Sequence, residues 1–483
     1  MGDTLKLLEL NFQEDLSTCL MNKYLLIIII LFSCNSASKI DLVIHDVNVI
    51  DPIKGISESK SILISNNKIV RILDSEKLNI SRFNEIIFAS DKFIIPGLWD
   101  AHVHFYFDTY LANYMPDLFL KFGVTSVRDT GGEFEFLDSI KKLSIKFPKS
   151  YPRIKIAGPL IDGKYNVYNG QNLPELSIQT KDESETSKAA KELISKGVDF
   201  LKAYEMLSPS QYEEVLSIAK KNNLRVAGHV PLSMDIITAS KLGLSSLEHV
   251  KNLEMWATHD RENLLKQRRE ILKNHNGLSG LRLRASVHNS QKDYSIRNLD
   301  SLKLIEIYKS LLENDTWQVP TLSIYKVPIY KIFKDEFWMN SFSSLPKQTK
   351  ERWTKNAISS SSNINPKQKK FSDWIQKTTR EMNSFGINFM AGTDTPLGYL
   401  TPGFSLHKEL ELLVESGLSE IEAIKSATYN PSVFFNMQDS LGLIRKNFIA
   451  DLVILNSNPL ENITNSLDIY SIIVDGEIYE SKF

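Results

Sequence analysis

Between residues 97 and 440, short β-rich apolar runs alternate with amphipathic helical stretches, and this alternation constrains the fold more than any other feature of the chain. Strands that alternate with helices are read as parallel, because each helix carries the chain back across the sheet. Eight runs can be picked out, at 98–103, 123–128, 153–157, 199–203, 224–229, 245–249, 317–322 and 387–391. Eight βα units in one domain favour closure into a (β/α)8 TIM barrel over an open sheet. Residues 250–316 are too long for one crossover, so a helical insertion over one barrel end is expected there. Across 261–300 it carries nine Lys and Arg against four Asp and Glu, a pattern read as a solvated helical face, with a lid role left open.

Outside that region, strand patterns occur only towards the two ends. Residues 40–50 alternate apolar and polar and break at Asp51-Pro52, 61–73 turn at Asn66-Asn67, and 85–89 lead into Ile94-Ile95-Pro96-Gly97. The pattern returns at 450–455 and 469–476. The simplest arrangement is a small β-sandwich domain built from both terminal segments, 38–96 and 441–483, flanking a barrel over 97–440.

Near the start, Met21-Asn22-Lys23 precedes the apolar run Tyr24 to Phe32 and then Ser33-Cys34. A basic start, a short apolar core and a small residue before a cysteine match a bacterial lipoprotein signal. The run is too short for a membrane span, which needs about 20 apolar residues. The reading is an upstream extension over 1–20, a signal peptide over 21–34 with Met21 as the start, and lipidation of Cys34. That implies anchorage in the cell envelope, facing the periplasm or the cell surface. The two cysteines, Cys19 and Cys34, leave no disulfide framework or thiolate metal site further along. A net charge of -1 gives no case for a nucleic-acid partner, and oligomeric state stays open.

The chemistry-bearing signal begins at Asp100-Ala101-His102-Val103-His104. Residues two apart on a strand face one side, so His102 and His104 can converge on one metal ion. Lys202, His229, His249 and Asp394 each end a later apolar run, at the carboxyl edge where barrel enzymes place catalytic groups. One such histidine alone is more often a hydrogen-bonded rim residue. Six metal-compatible residues on one rim point to a metal site.

These residues, with Pro96-Gly97-Leu98-Trp99, Gly123-Val124-Thr125-Ser126-Val127-Arg128-Asp129, Ala391-Gly392-Thr393-Asp394, Asn430-Pro431 and Ala450-Asp451-Leu452-Val453, resemble the metal-dependent amidohydrolase superfamily. The likeness is to its imidazolonepropionase-like and Xaa-Pro dipeptidase-like branch, and it covers nearly all of the chain after residue 40. It implies that His102, His104 and Asp394 hold a first metal, His229 and His249 a second, and Lys202 bridges both as a carbamate formed with carbon dioxide. Imidazolonepropionases have one metal and no bridging lysine, so Lys202 argues for a binuclear centre. Such a donor set suits zinc.

The expected function is therefore hydrolysis of an amide C–N bond in a small substrate, an N-acyl amino acid or dipeptide. Two cations would activate a water, and Asp394 would serve as the proton carrier. A related lactonase or phosphotriesterase-type esterase is the alternative within enzymes, and a non-catalytic surface binding lipoprotein the alternative outside them. Tyr204, His407 and Arg128 are weaker candidates for substrate contact, and His45, His259, His275 and His288 are read as surface residues.

Overall fold

The computed structural model describes residues 39–481 apart from residue 172, so Cys19 and Cys34 lie outside the described residues. Seven regular strands build most of a barrel: Leu98–Val103, Val124–Asp129, Arg153–Ile156, Leu201–Ala203, Val226–Gly228, Ser246–Glu248 and Trp317–Val319. Neighbours pair in parallel. The third and fourth are joined through Asp199 N to Ile156 O at 2.9 Å.

The eighth position is filled by residues 387–391, which form no regular strand. The backbone still closes the ring there. Gln318 N donates to Asn388 O at 2.9 Å, Met390 N to Gln318 O at 3.0 Å, and Ala101 N to Ala391 O at 2.8 Å. All eight predicted runs thus take barrel positions, in a TIM barrel. Two short strands the sequence reading did not expect, Leu160–Asp162 and Ser177–Gln179, extend the sheet beside the fourth barrel strand.

Local punctuation explains the crossovers. Asp182 caps the helix Glu183–Lys196 by accepting from Glu185 N, and Gly197 ends it at φ 91°, a conformation that costs glycine little. The next helix, Pro209–Lys221, starts with a reciprocal Ser208–Gln211 capping box and proline in its first turn.

Both ends of the chain share one eight-stranded sheet, in which Leu452–Leu455 pairs antiparallel with Phe93–Pro96. The sheet curls until Lys68 bridges Ile449 and Ile69 N donates to Phe448 O at 2.9 Å. The sandwich is therefore one sheet folded over its own core, which includes Ile44, Ile62, Ile94, Ile454 and Ile473.

The stretch 250–316 holds the helices Leu253–Trp256, Arg261–Lys273, Gly280–Arg297 and Ser301–Glu313. A second helical stretch, which the sequence reading did not single out, lies between the seventh and eighth barrel positions: Leu322–Ile329, Glu336–Ser341, Lys347–Ser359 and Pro366–Ser384. Among the described residues no helix is long and apolar enough to cross a membrane.

The closing seam is tight. A Cβ on Gly392 would meet Val319 Cγ1 at 2.8 Å and the His102 Cβ and N at 2.9 Å. Gly392→Ala should therefore destabilise the protein by about 1–3 kcal/mol, the usual scale of overpacking. Denaturant unfolding measures this, and a stability equal to the parent's would show that the seam can give.

Candidate metal centre

The six residues at the strand ends come together because they sit at the same level of the barrel. His102 and His104 bracket the end of the first strand, Lys202 lies in the fourth, and His229 and His249 directly follow the fifth and sixth. Asp394 follows the eighth run, and its N donates to His102 O at 2.7 Å. The Asp394 carboxylate lies 3.3 Å from His104 Nε2, 3.5 Å from His102 Nε2 and 3.9 Å from His249 Nε2. The His102 and His249 ring centroids are 4.6 Å apart, and those of His229 and His249 5.0 Å.

Each imidazole is oriented from behind. The Nδ1 of His102 meets Glu248 Oε2 at 2.6 Å, that of His229 meets Glu205 Oε1 at 2.5 Å, and that of His104 meets Gly131 O at 2.9 Å. His249 Nδ1 meets Thr321 Oγ1 at 2.6 Å, a hydroxyl that donates onward to Pro320 O at 2.8 Å. An acceptor on Nδ1 fixes the tautomer that leaves Nε2 as a lone-pair donor, as metal-binding histidines require. Burial holds His102, His229 and His249 well below the usual imidazole pKa, so they are neutral at pH 7. For His104, burial acts in the same direction but Asp394 outweighs it and raises the pKa.

Lys202 is 1% exposed, and its Nζ has no hydrogen-bond partner among the described residues. Burial pushes its pKa down to about 8. The local backbone is strained in the same place: His249, Val250, Thr321 and Asp394 have φ of 63°, 54°, 48° and 67°. For β-branched Val250 and Thr321 this costs on the order of 1–3 kcal/mol each, a pattern that clusters at functional sites.

Three weaker candidates resolve differently. Tyr204 is buried with its ring 4.5 Å from that of His229, so it borders the centre. Arg128 does not face substrate. Its fully buried guanidinium donates to Ala101 O, to Ser246 Oγ at 3.0 Å and to both Glu248 oxygens at 2.9 Å, which fixes the carboxylate that orients His102. His407 is also structural, because its Nδ1 meets Ser466 Oγ at 2.8 Å and its Nε2 meets Phe122 O at 3.0 Å.

The reading of His288 as a surface residue is corrected, and that of the basic insertion as a solvated face is corrected at Arg268 and Arg284, whereas Lys266, Arg269, Lys273, Arg282 and Arg297 are exposed. His288 Nε2 lies 3.0 Å from Glu205 Oε2, and Arg284 reaches the same carboxylate through Nε at 3.0 Å and Nη2 at 2.9 Å. Burial would raise the Glu205 pKa, but Arg284 and the two histidines outweigh it and hold it well below the usual range. Glu205 and Glu248 each adjoin a residue that the sequence reading singled out, Tyr204 and His249, so their position was a usable signal. Nothing in the sequence pattern paired Arg284 with Glu205 across 79 positions.

The donor chemistry fits a divalent cation: ligand atoms of His102, His104 and Asp394 all lie within 4.8 Å of one another. The amidohydrolase family model matches residues 93–479. The chain belongs to the amidohydrolase family. It is accordingly a hydrolase of the kind that acts on carbon–nitrogen bonds. It is 23% identical over 422 residues to an ochratoxinase of Aspergillus niger, covering 77% of this chain and 71% of that protein. The A. niger ochratoxinase structure superposes with a TM-score of 0.62 at 19% identity, over 91% of this chain and 95% of that one. A Xaa-Pro dipeptidase with methionine bound in its active site gives 0.66 at 21% identity, over 91% and 99%. These likenesses extend over the terminal sheet as well as the barrel.

His407 supplies a pH test of the junction it bridges. Burial lowers its pKa to about 4, so between about 6.5 and 4 the unfolded chain binds a proton that the folded chain refuses, and stability falls as pH falls through that window. Unfolding midpoints of His407→Gln and its parent, compared from pH 7 to 4, should show a shallower loss in the variant. Equal slopes would mean that His407 is not the group responsible.

Proposed function

We propose that the chain hydrolyses the amide bond of a small substrate, an N-acyl amino acid or a dipeptide, at a centre of two divalent metal ions, zinc by donor type. The observation that carries this is Lys202, a buried amine with no hydrogen-bond partner among the described residues, in the cluster of four imidazoles and a carboxylate. Left as an ammonium it would repel any cation bound beside it. With its pKa at about 8 a neutral amine is within reach near neutrality, and that amine can add carbon dioxide, lose a proton and become a carbamate anion with two oxygens. Such an anion would supply the bridge between a site formed by His102, His104 and Asp394 and one formed by His229 and His249. The likeness to a Xaa-Pro dipeptidase supports the dipeptide half of the reading.

Bound cations would supply the charge that makes a water acidic near neutrality and that polarises an amide carbonyl. The chain's own residues do the rest. Glu248 and Glu205 hold His102 and His229 in place. Asp394, within 4 Å of three imidazoles, is placed to take a proton from the attacking water and return it to the leaving nitrogen, which departs poorly unless protonated. Tyr204 is placed beside His229 to border the bound substrate.

Metal analysis of the purified protein should give close to two divalent ions per chain. Lys202→Ala should lose metal and turnover together, with short carboxylic acids restoring part of both, across a panel of N-acyl amino acids, dipeptides and lactones. One ion per chain in the parent, or a fully loaded and active Lys202→Ala, would sink the bridged centre. Preference for the lactones would move the reading to the esterase.

From the leader sequence we further propose lipidation at Cys34 and a place in the cell envelope. Cys34→Ser should move the protein from the membrane to the soluble fraction, because the acylated cysteine is the anchor in this reading. A parent that already fractionates as soluble would refute it.

A further inference from the structure

The two helical insertions line a cavity of about 380 Å³ that is open to solvent on one side. Its walls come from three helices: Gly280–Arg297 gives Lys292, Leu322–Ile329 gives Tyr325 and Ile329, and Pro366–Ser384 gives Lys367, Lys370 and Phe371. Two contacts tie these walls to the metal-compatible cluster. Tyr325 donates from its hydroxyl to His249 O at 3.3 Å. His288, also in the lining, meets Glu205, the carboxylate that holds His229.

The lining combines apolar side chains with three lysines and the uncharged amides of Asn289 and Gln368. Its one acid, Asp293, lies 2.9 Å from Arg297 and 3.9 Å from Lys370. Among the described residues no carboxylate comes within ion-pair distance of Lys292 or Lys367, and the Lys292 ammonium sits 3.7 Å over the Phe371 ring. Glu254 and Glu205 act on Lys292 electrostatically, and burial lowers the Lys292 pKa as it raises that of Glu254. His288 adds no charge, since burial takes its pKa down to about 3.

We propose that this cavity is the specificity subsite of the enzyme and takes an aromatic or aliphatic group that carries a carboxylate. The carboxylate lies on Lys292 and Lys367, and the apolar body packs against Tyr325, Ile329 and Phe371. The inference rests on the amidohydrolase reading above and names the side chains that would hold the carboxylate of its substrates.

The probes are 3-phenylpropionate and its uncharged counterpart 3-phenylpropanol, titrated calorimetrically into metal-loaded protein. The acid should bind about tenfold or more tightly than the alcohol. Lys292→Ala with Lys367→Ala should remove most of that preference and leave the alcohol's affinity unchanged, while Lys292→Arg with Lys367→Arg should keep it. Among hydrolysed substrates the alanine pair should raise KM for the acid far more than for its methyl ester. An acid affinity that does not respond to the lysines would overturn the subsite, because the carboxylate then sits on the metal cluster or elsewhere. So would equal affinities for acid and alcohol in the parent. If the acid senses the lysines but no amide in the panel is hydrolysed, the subsite stands and the proposed hydrolysis fails.

Discussion

The carboxylate of Asp100 holds the barrel shut, and the site exists because the barrel is shut. Asp100 is fully buried on the first strand and accepts from His102 N at 3.2 Å, from Thr393 N at 3.0 Å and from Thr393 Oγ1 at 2.6 Å. Residues 387–391 form no regular strand, so these bonds supplement a short backbone seam. A buried carboxylate is costly unless its lone pairs are satisfied, and burial, with the nearby Asp394 charge, raises the Asp100 pKa to about 7 against the pull of its hydrogen bonds. Thr393 and His102 supply the compensation. Asp394 is the next residue, at φ 67°, so one clamp sets both the closure and the direction of the central carboxylate.

Two buried ion-pair networks stand behind the imidazoles, and they outrank the surface pairs. Exposed pairs such as Lys77 with Asp74 contribute little, because solvent screens them. Removing one partner from Arg128–Glu248, both fully buried, costs about 3–5 kcal/mol because it strands a charge. The two networks differ in origin. Arg128 belongs to the second barrel strand, so Glu248 and His102 are organised by the barrel itself. Arg284 belongs to an inserted helix, so Glu205 and His229 depend on how that insertion docks.

Much of the site was legible beforehand because barrel enzymes present functional groups at strand ends, and strands announce themselves locally. His102, Lys202, His229, His249 and Asp394 could be singled out without knowing the ring was closed. The misreadings came where a charged side chain turns inward. Arg284 and His288 lie in a stretch whose Lys and Arg surplus suggests solvent, yet both meet the buried Glu205. Arg128 and His407 were plausible substrate contacts by position, but each is committed to neighbours far away in sequence. The helices within 322–384 escaped notice for lack of a feature that marks them as an insertion.

Periodicity, turn chemistry and the spacing of polar residues at strand ends are properties of neighbouring residues. They determined the eight barrel runs, the shared terminal sheet and the candidate residues at the strand ends. Partner choice for a buried charge depends on which side chain arrives from a distant element, and that is decided only when the chain is packed. Tertiary structure alone therefore settled that Glu205 is shared by His229, Arg284 and His288 and that Arg128 is structural. It also decided that Lys202 is left without a hydrogen-bond partner among the described residues.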